Sequence, residues 1–91
     1  MDTTTLLQPE LDIDVDTLLE NKLIVHNDNH NTFEWVIDTL VKVCRHSKVQ
    51  AEQCSYIIHY KGKYAVKHGN YETLKPMKEA ISERGINVTI E

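Results

Sequence analysis

Glycine is scarce in this 91-residue chain, at three residues, and proline and cysteine number two each. With so little glycine there is no loop built to cradle a phosphate and no dinucleotide-binding fingerprint. Cys44 and Cys54 are too few and too close in sequence for a disulfide framework. Both fall on what read as buried helix faces, and they are expected to be reduced thiols of a cytoplasmic protein. No apolar run approaches the ~18 residues of a membrane span, so no membrane association is expected. The chain does not open with a basic stretch followed by an apolar one, so export is not expected either. Residues 1–20 lack lysine and arginine entirely and carry six acids: Asp2, Glu10, Asp12, Asp14, Asp16 and Glu20. The rest holds eight acids against ten bases, so an acidic arm joins a near-neutral body. Nucleic acid would repel that arm and is not an expected partner. The arm reads either as a solvated, flexible extension or as a handle that another protein grips.

What is present is periodicity. At 41% the apolar fraction suits one small domain with a single core. Ordered structure is expected from Asn21 onwards, giving an extension over 1–20, with Leu18 and Leu19 as a short docking segment, and a core domain over 21–91. The β-branched run Lys22 to His26 predicts a strand that stops at the polar cluster Asn27 to Asn31. Phe33, Val36, Ile37, Leu40, Val41 and Cys44 form one helical stripe, with Asn31 or Thr32 as N-cap and Glu34 in the first turn. Ser47 and Gln50 make a capping box for a second helix whose inward residues are Ala51, Cys54 and Ile58, with Ile57 alongside. Gly62 stops it. Lys63 to Lys67 predicts a strand, and His68 to Asn70 a turn. A third helix is expected over roughly Leu74 to Arg84, because Pro76 belongs near a helix start and Thr73 can cap it. Ile86 to Ile90 alternates as a strand with one buried face. The order β-α-α-β-α-β implies an α+β open sandwich, a three-stranded sheet covered by three helices.

Catalytic chemistry has little support. No Ser or Cys stands in a motif with His, and the spacings of His26, His30, His46, His59 and His68 match no compact ligand pattern. Neither a metal nor another cofactor is expected. The cluster at 27–31 offers oxygen acceptors at a helix N-terminus where an anion site would supply Gly, Lys or Arg. Such a set suits a donor-rich cation such as an ammonium, and it equally suits a turn in which Asn and Asp bond their own backbone. Ser55 and His59, one turn apart beside Ile58, flank the core stripe. His59 reads as a ligand contact or as a satisfied structural residue.

Three blocks carry a resemblance: Lys22-Leu-Ile-Val-His-Asn-Asp-Asn, Phe33-Glu-Trp-Val-Ile-Asp-Thr-Leu, and Ile57-Ile-His-Tyr-Lys-Gly-Lys. Together they resemble the ClpS adaptor family, strongly over 21–67 and more weakly afterwards until Val88-Thr-Ile-Glu. The β-α-α-β-α-β order is also similar to the C-terminal domain of the ribosomal stalk protein, which is Ala-, Gly- and Lys-rich where this chain is not. The resemblance implies a non-catalytic adaptor that binds substrate proteins by a bulky hydrophobic first residue (an N-degron) and delivers them to a Clp AAA+ unfoldase of ClpA or ClpC type. It implies that Asn27, Asp28 and His59 hold the substrate's α-amino group. It gives the side-chain pocket to Asn29, Asn31, Phe33, Val36, Ser55, Ile58 and Ile86, and unfoldase engagement to tail residues such as Asp12, Asp14 and Asp16. His59 would accept a bond from that amine through a ring nitrogen.

The chain also departs from the family pattern. Asn29 replaces a second Asp, His30-Asn31-Thr32 replaces an aromatic-Thr-Pro run, Phe33 replaces a Met gate, and Ser55 replaces a bulky apolar residue. These changes leave open a ClpS-like domain with an altered or lost pocket that only docks on its unfoldase. A small enzyme or metal protein using Asp28 and His59 is the third possibility.

Overall fold

The computed structural model describes residues 20–91. Asp12, Asp14, Asp16, Leu18 and Leu19, and the rest of the extension up to residue 19, lie outside the described residues. The element order is β1 (Asn21–His26), α1 (Phe33–Cys44), α2 (Lys48–Lys61), β2 (Lys63–Gly69), α3 (Tyr71–Glu83) and β3 (Val88–Ile90). The sheet is antiparallel in the order β2-β1-β3, which makes the first strand the central one. This is the expected α+β arrangement. No helix among the described residues is long and apolar enough to cross a membrane.

The core forms where strand period and helix period agree. Leu23 and Val25 point from β1 into the helical layer and join Leu40, Cys44, Ala51, Ile58, Leu74 and Ile81, all buried. Ile24 is buried outside that cluster, as the alternation of a strand requires. The β1–β2 ladder pairs Leu23 with Lys67 and Ile24 with Ala65, skipping Val66. This bulge lets Val66 join the core while Lys67 reaches the carbonyl of Cys44 at 3.2 Å, capping the end of α1. Cys44 is buried and Cys54 half-buried, and both are free. Burial pushes the Cys44 thiol up to about 11 against the pull of the Lys67 cation, so it is no nucleophile at neutral pH.

Capping follows the sequence in two helices and departs from it in the third. Thr32 is the N-cap of α1, its hydroxyl accepting from Trp35 N–H at 3.1 Å. The Ser47–Gln50 box is complete, and Gly62 closes α2 at φ 91°. Helix α3, however, begins at Tyr71 with Asn70 as cap, its side chain accepting from Thr73 N–H at 2.8 Å. Pro76 therefore sits inside the helix and cannot bond back to Glu72. The cap and the burial of Leu74 in the first turn offset that loss. The strand before it runs on to Gly69, and the last strand is confined to Val88–Ile90, shorter than the Ile86 to Ile90 alternation suggested. In α2 the buried face is Ala51, Ser55 and Ile58, with Cys54 and Ile57 only half-buried. Ser55 takes the interior place because its hydroxyl is satisfied by the Ala51 carbonyl at 2.9 Å.

A polar clasp locks α1 to the end of α3. Trp35 donates its indole N–H to the Arg84 carbonyl at 2.9 Å, and the Arg84 guanidinium lies 4.1 Å over the Trp35 ring. The same guanidinium donates to Asp38 at 2.7 Å and to Thr39 at 2.6 Å. It holds the residues after α3 against the start of α1, beside the 27–31 loop.

Asn70→Ala is expected to cost about 1 kcal/mol of stability and Thr73→Ala much less, as urea unfolding would measure. The reverse order would restore a helix start at Thr73.

Candidate functional site

The segment between β1 and α1 is anchored at its β1 end by two backbone bonds before any side chain is considered. Asn27 N–H bonds the Gly62 carbonyl at 2.8 Å, tying the end of the strand to the end of α2. His26 N–H bonds the Asn87 carbonyl at 2.9 Å. Beyond these anchors, Asp28 organises its own loop. Its Oδ1 accepts from the backbone N–H of His30 at 2.9 Å and of Asn31 at 3.0 Å, and its Oδ2 accepts from the Asn31 amide at 2.8 Å. That amide also donates to the Gly85 carbonyl at 3.1 Å, carrying the contact across to the end of α3.

These bonds set the charge of the site. Partial burial pushes the Asp28 carboxyl upward. The N–H groups of Asn31 and His30, the Asn31 amide and the charge of His30 outweigh it and hold the pKa below the ordinary 3.8. The carboxylate is ionised throughout the neutral range. Three bonds from the loop leave an Oδ2 lone pair for an external donor.

Asp28 lines an open hollow of about 320 Å³ between the loop, the start of α1 and the middle of α2. The other lining residues are Asn27, Asn29, Asn31, Thr32, Phe33, Val36, Ser55, Ile58 and His59. One end is thus rich in oxygen acceptors and the other is apolar, walled by Phe33, Val36 and Ile58. Nine of the ten residues that the resemblance assigned to the amine site and pocket meet around this one space. Ile86 does not. It is buried beneath, lining a crevice of about 20 Å³ with Val36 and Ile58. Thr32, named from the sequence only as a helix cap, also lines the hollow, and its position directly before Phe33 was the available signal. Phe33 forms the rim at 38% exposure, its ring centroid 5.3 Å from those of both His59 and Tyr56. The other histidines are dispersed: His26 bonds Thr89 at 2.8 Å and His68 faces Glu20 at 3.7 Å. His46 lies near Lys67 and Val66.

The arrangement can hold a compact cation at one end and an apolar group at the other. It brings no nucleophile beside a base, since the Ser55 hydroxyl is committed to Ala51.

The family model for the ATP-dependent Clp protease adaptor protein ClpS matches residues 19–89. No curated protein matches the chain. Among solved structures, that of Agrobacterium tumefaciens ClpS2 bound to L-phenylalaninamide has the same fold, with a TM-score of 0.73. It is 24% identical, and the match covers 79% of this chain and 94% of that one.

Asp28→Ala removes three loop bonds and is expected to cost about 1–3 kcal/mol in urea unfolding. Asp28→Asn keeps an acceptor for the two backbone N–H groups and is expected to cost less. Because the folded pKa lies below the unfolded one, the stability Asp28 contributes is complete above about pH 4 and is lost as pH falls through the lower folded value. A carboxyl NMR titration should give Asp28 a midpoint below 3.8; a midpoint above it would contradict the loop bonds.

Proposed function

The chain belongs to the ClpS family of ATP-dependent Clp protease adaptor proteins, and from that premise we propose that it captures substrate proteins by a bulky hydrophobic N-terminal residue and hands them to a Clp AAA+ unfoldase. The observation that carries the proposal is an ionised Asp28 lining the same open hollow as His59 and the apolar side chains of Val36 and Ile58. A free α-amino group has a pKa of ~7.7–8.0 and is largely protonated at neutral pH, and only a chain start possesses it. Asp28 Oδ2, the Asn27 amide and the His59 ring accept its N–H donors, and the hollow takes the first side chain. Charge-assisted bonds of ~1.5–3 kcal/mol and ~1.5–3 kcal/mol from burying one large side chain suit a reversible handover.

The structural neighbour supports this, since ClpS2 binds L-phenylalaninamide, a free amine next to an aromatic side chain. In this chain Leu, Phe, Tyr and Trp are the proposed first residues. Phe33 forms a rigid rim, and the small Ser55 leaves room at the wall. The unfoldase is of ClpA or ClpC type, the site of action is the cytoplasm, and the acidic residues 1–20, including Asp12, Asp14 and Asp16, make the handle the unfoldase engages. No catalytic step is assigned to the protein.

A second reading follows from the same carboxylate. Asp28 already takes three bonds from its own loop. If that is its whole role, the domain docks on the unfoldase without gripping a chain start.

Binding of a Leu-start peptide should fall roughly tenfold to a hundredfold when its amine is acetylated. Asp28→Asn should lose most of that discrimination while remaining folded. Equal affinity for the free and acetylated peptides would leave only the docking role. Deleting residues 1–17 should leave peptide affinity unchanged and abolish degradation of a Leu-start reporter by the unfoldase and its protease.

A further inference from the structure

Beyond the Phe33 rim an exposed aromatic ring continues the surface on α2. Tyr56 stands on the outer side of α2 at 57% exposure, its ring tilted 49° to that of Phe33 at 5.3 Å between centroids. One turn further along each helix, Ile37 follows Phe33 on α1 and Glu52 precedes Tyr56 on α2. Ile37 and Val41 from α1 and Glu52 from α2 line a groove of about 540 Å³ between the two helices, with the charged Glu34, Asp38 and Lys48 at its edges. Hollow, rim, ring and groove therefore form one strip along the α1–α2 seam. The aromatic step in its middle is open to solvent.

A peptide whose first side chain fills the hollow leaves it as an extended chain. Successive side chains of such a chain point to opposite sides, and residues two apart return to the same side about 7 Å further on. The second side chain thus points away from the protein and the third comes back to it. Phe33 lines the hollow and the Tyr56 ring stands 5.3 Å from that of Phe33, so the Phe33–Tyr56 separation is shorter than one such step. We propose that Tyr56, with Ile37 beyond it, is a second subsite that takes an aromatic or large aliphatic side chain at the third position of the bound chain. The subsite rests on the capture of a chain start in the hollow and adds a selectivity determinant to it. Two substrates with the same first residue are then ranked by their third.

The test uses the full chain and four peptides alike except near the start: Leu-Gly-Gly, Leu-Gly-Trp, Leu-Trp-Gly, and Leu-Gly-Trp with an acetylated amine. Binding is followed by fluorescence anisotropy of a distal label. Aromatic contacts of this kind should make Leu-Gly-Trp roughly threefold to tenfold tighter than Leu-Gly-Gly. Leu-Trp-Gly should show no such gain. The ratio between the first two peptides should fall to near one in Tyr56→Ala and persist in Tyr56→Phe. Circular dichroism should show both variants folded, since the side chain is outside the core. Equal affinities for the first two peptides, a gain at the second position instead of the third, or a ratio that survives Tyr56→Ala would each overturn the subsite alone. Equal affinity of the free and acetylated peptides would overturn the capture of a chain start, and the subsite with it.

Discussion

The hydrogen bonds that Asp28 accepts from its own loop are the constraint on which the site depends. A carboxylate next to an apolar hollow would ordinarily be pushed toward its neutral form. Here the N–H groups of His30 and Asn31 and the amide of Asn31 stabilise the charged form. The same bonds bend the segment so that the acceptors at Asn27 to Asn31 line one end of the hollow instead of dispersing into solvent. Asn31 extends the arrangement to Gly85, and the Trp35–Arg84 clasp keeps the end of α3 where Asn31 can reach it. Electrostatics and loop shape are therefore one property.

The hollow has two unlike ends because two kinds of element meet there. The polar end is a connection, whose backbone is free to turn. The apolar end is the flank of two helices, where Val36 and Ile58 complete core stripes and their outer atoms are left over. Ser55 marks the boundary: buried, small, and with its hydroxyl turned back to Ala51, it presents little bulk and no free donor. A large residue at that position would fill space the hollow now keeps open. Phe33 closes the other side as a rim half exposed to solvent, and its contacts with His59 and Tyr56 join the hollow to the helical seam.

Some elements were legible because their signal is local. The stripe from Phe33 to Cys44 and the Ser47–Gln50 box need only a few residues of the same helix, and both formed as read. The start of α3 was not legible. Pro76 argued for a late start on local grounds, while burial of Leu74 and the Asn70 cap brought the helix three residues earlier. The bulge that skips Val66 has no sequence mark either, since it depends on which β1 residue stands opposite. The inward face of α2 was misjudged by one position because Ser55 is polar by composition and buried by virtue of a bond to Ala51.

The sequence by itself determined the element order, most helix caps, and the kinds of residue at the site, since these depend on neighbours one turn or one strand step away. Only the tertiary structure decided that Asp28 and His59, thirty-one positions apart by number, border one hollow, and that Ile86 lies beneath it. It also decided that the Tyr56 ring stands against the Phe33 rim. Those outcomes follow from how α1 and α2 pack and from where the 27–31 loop is pinned. Both are set by contacts between residues distant in sequence, which no local pattern encodes.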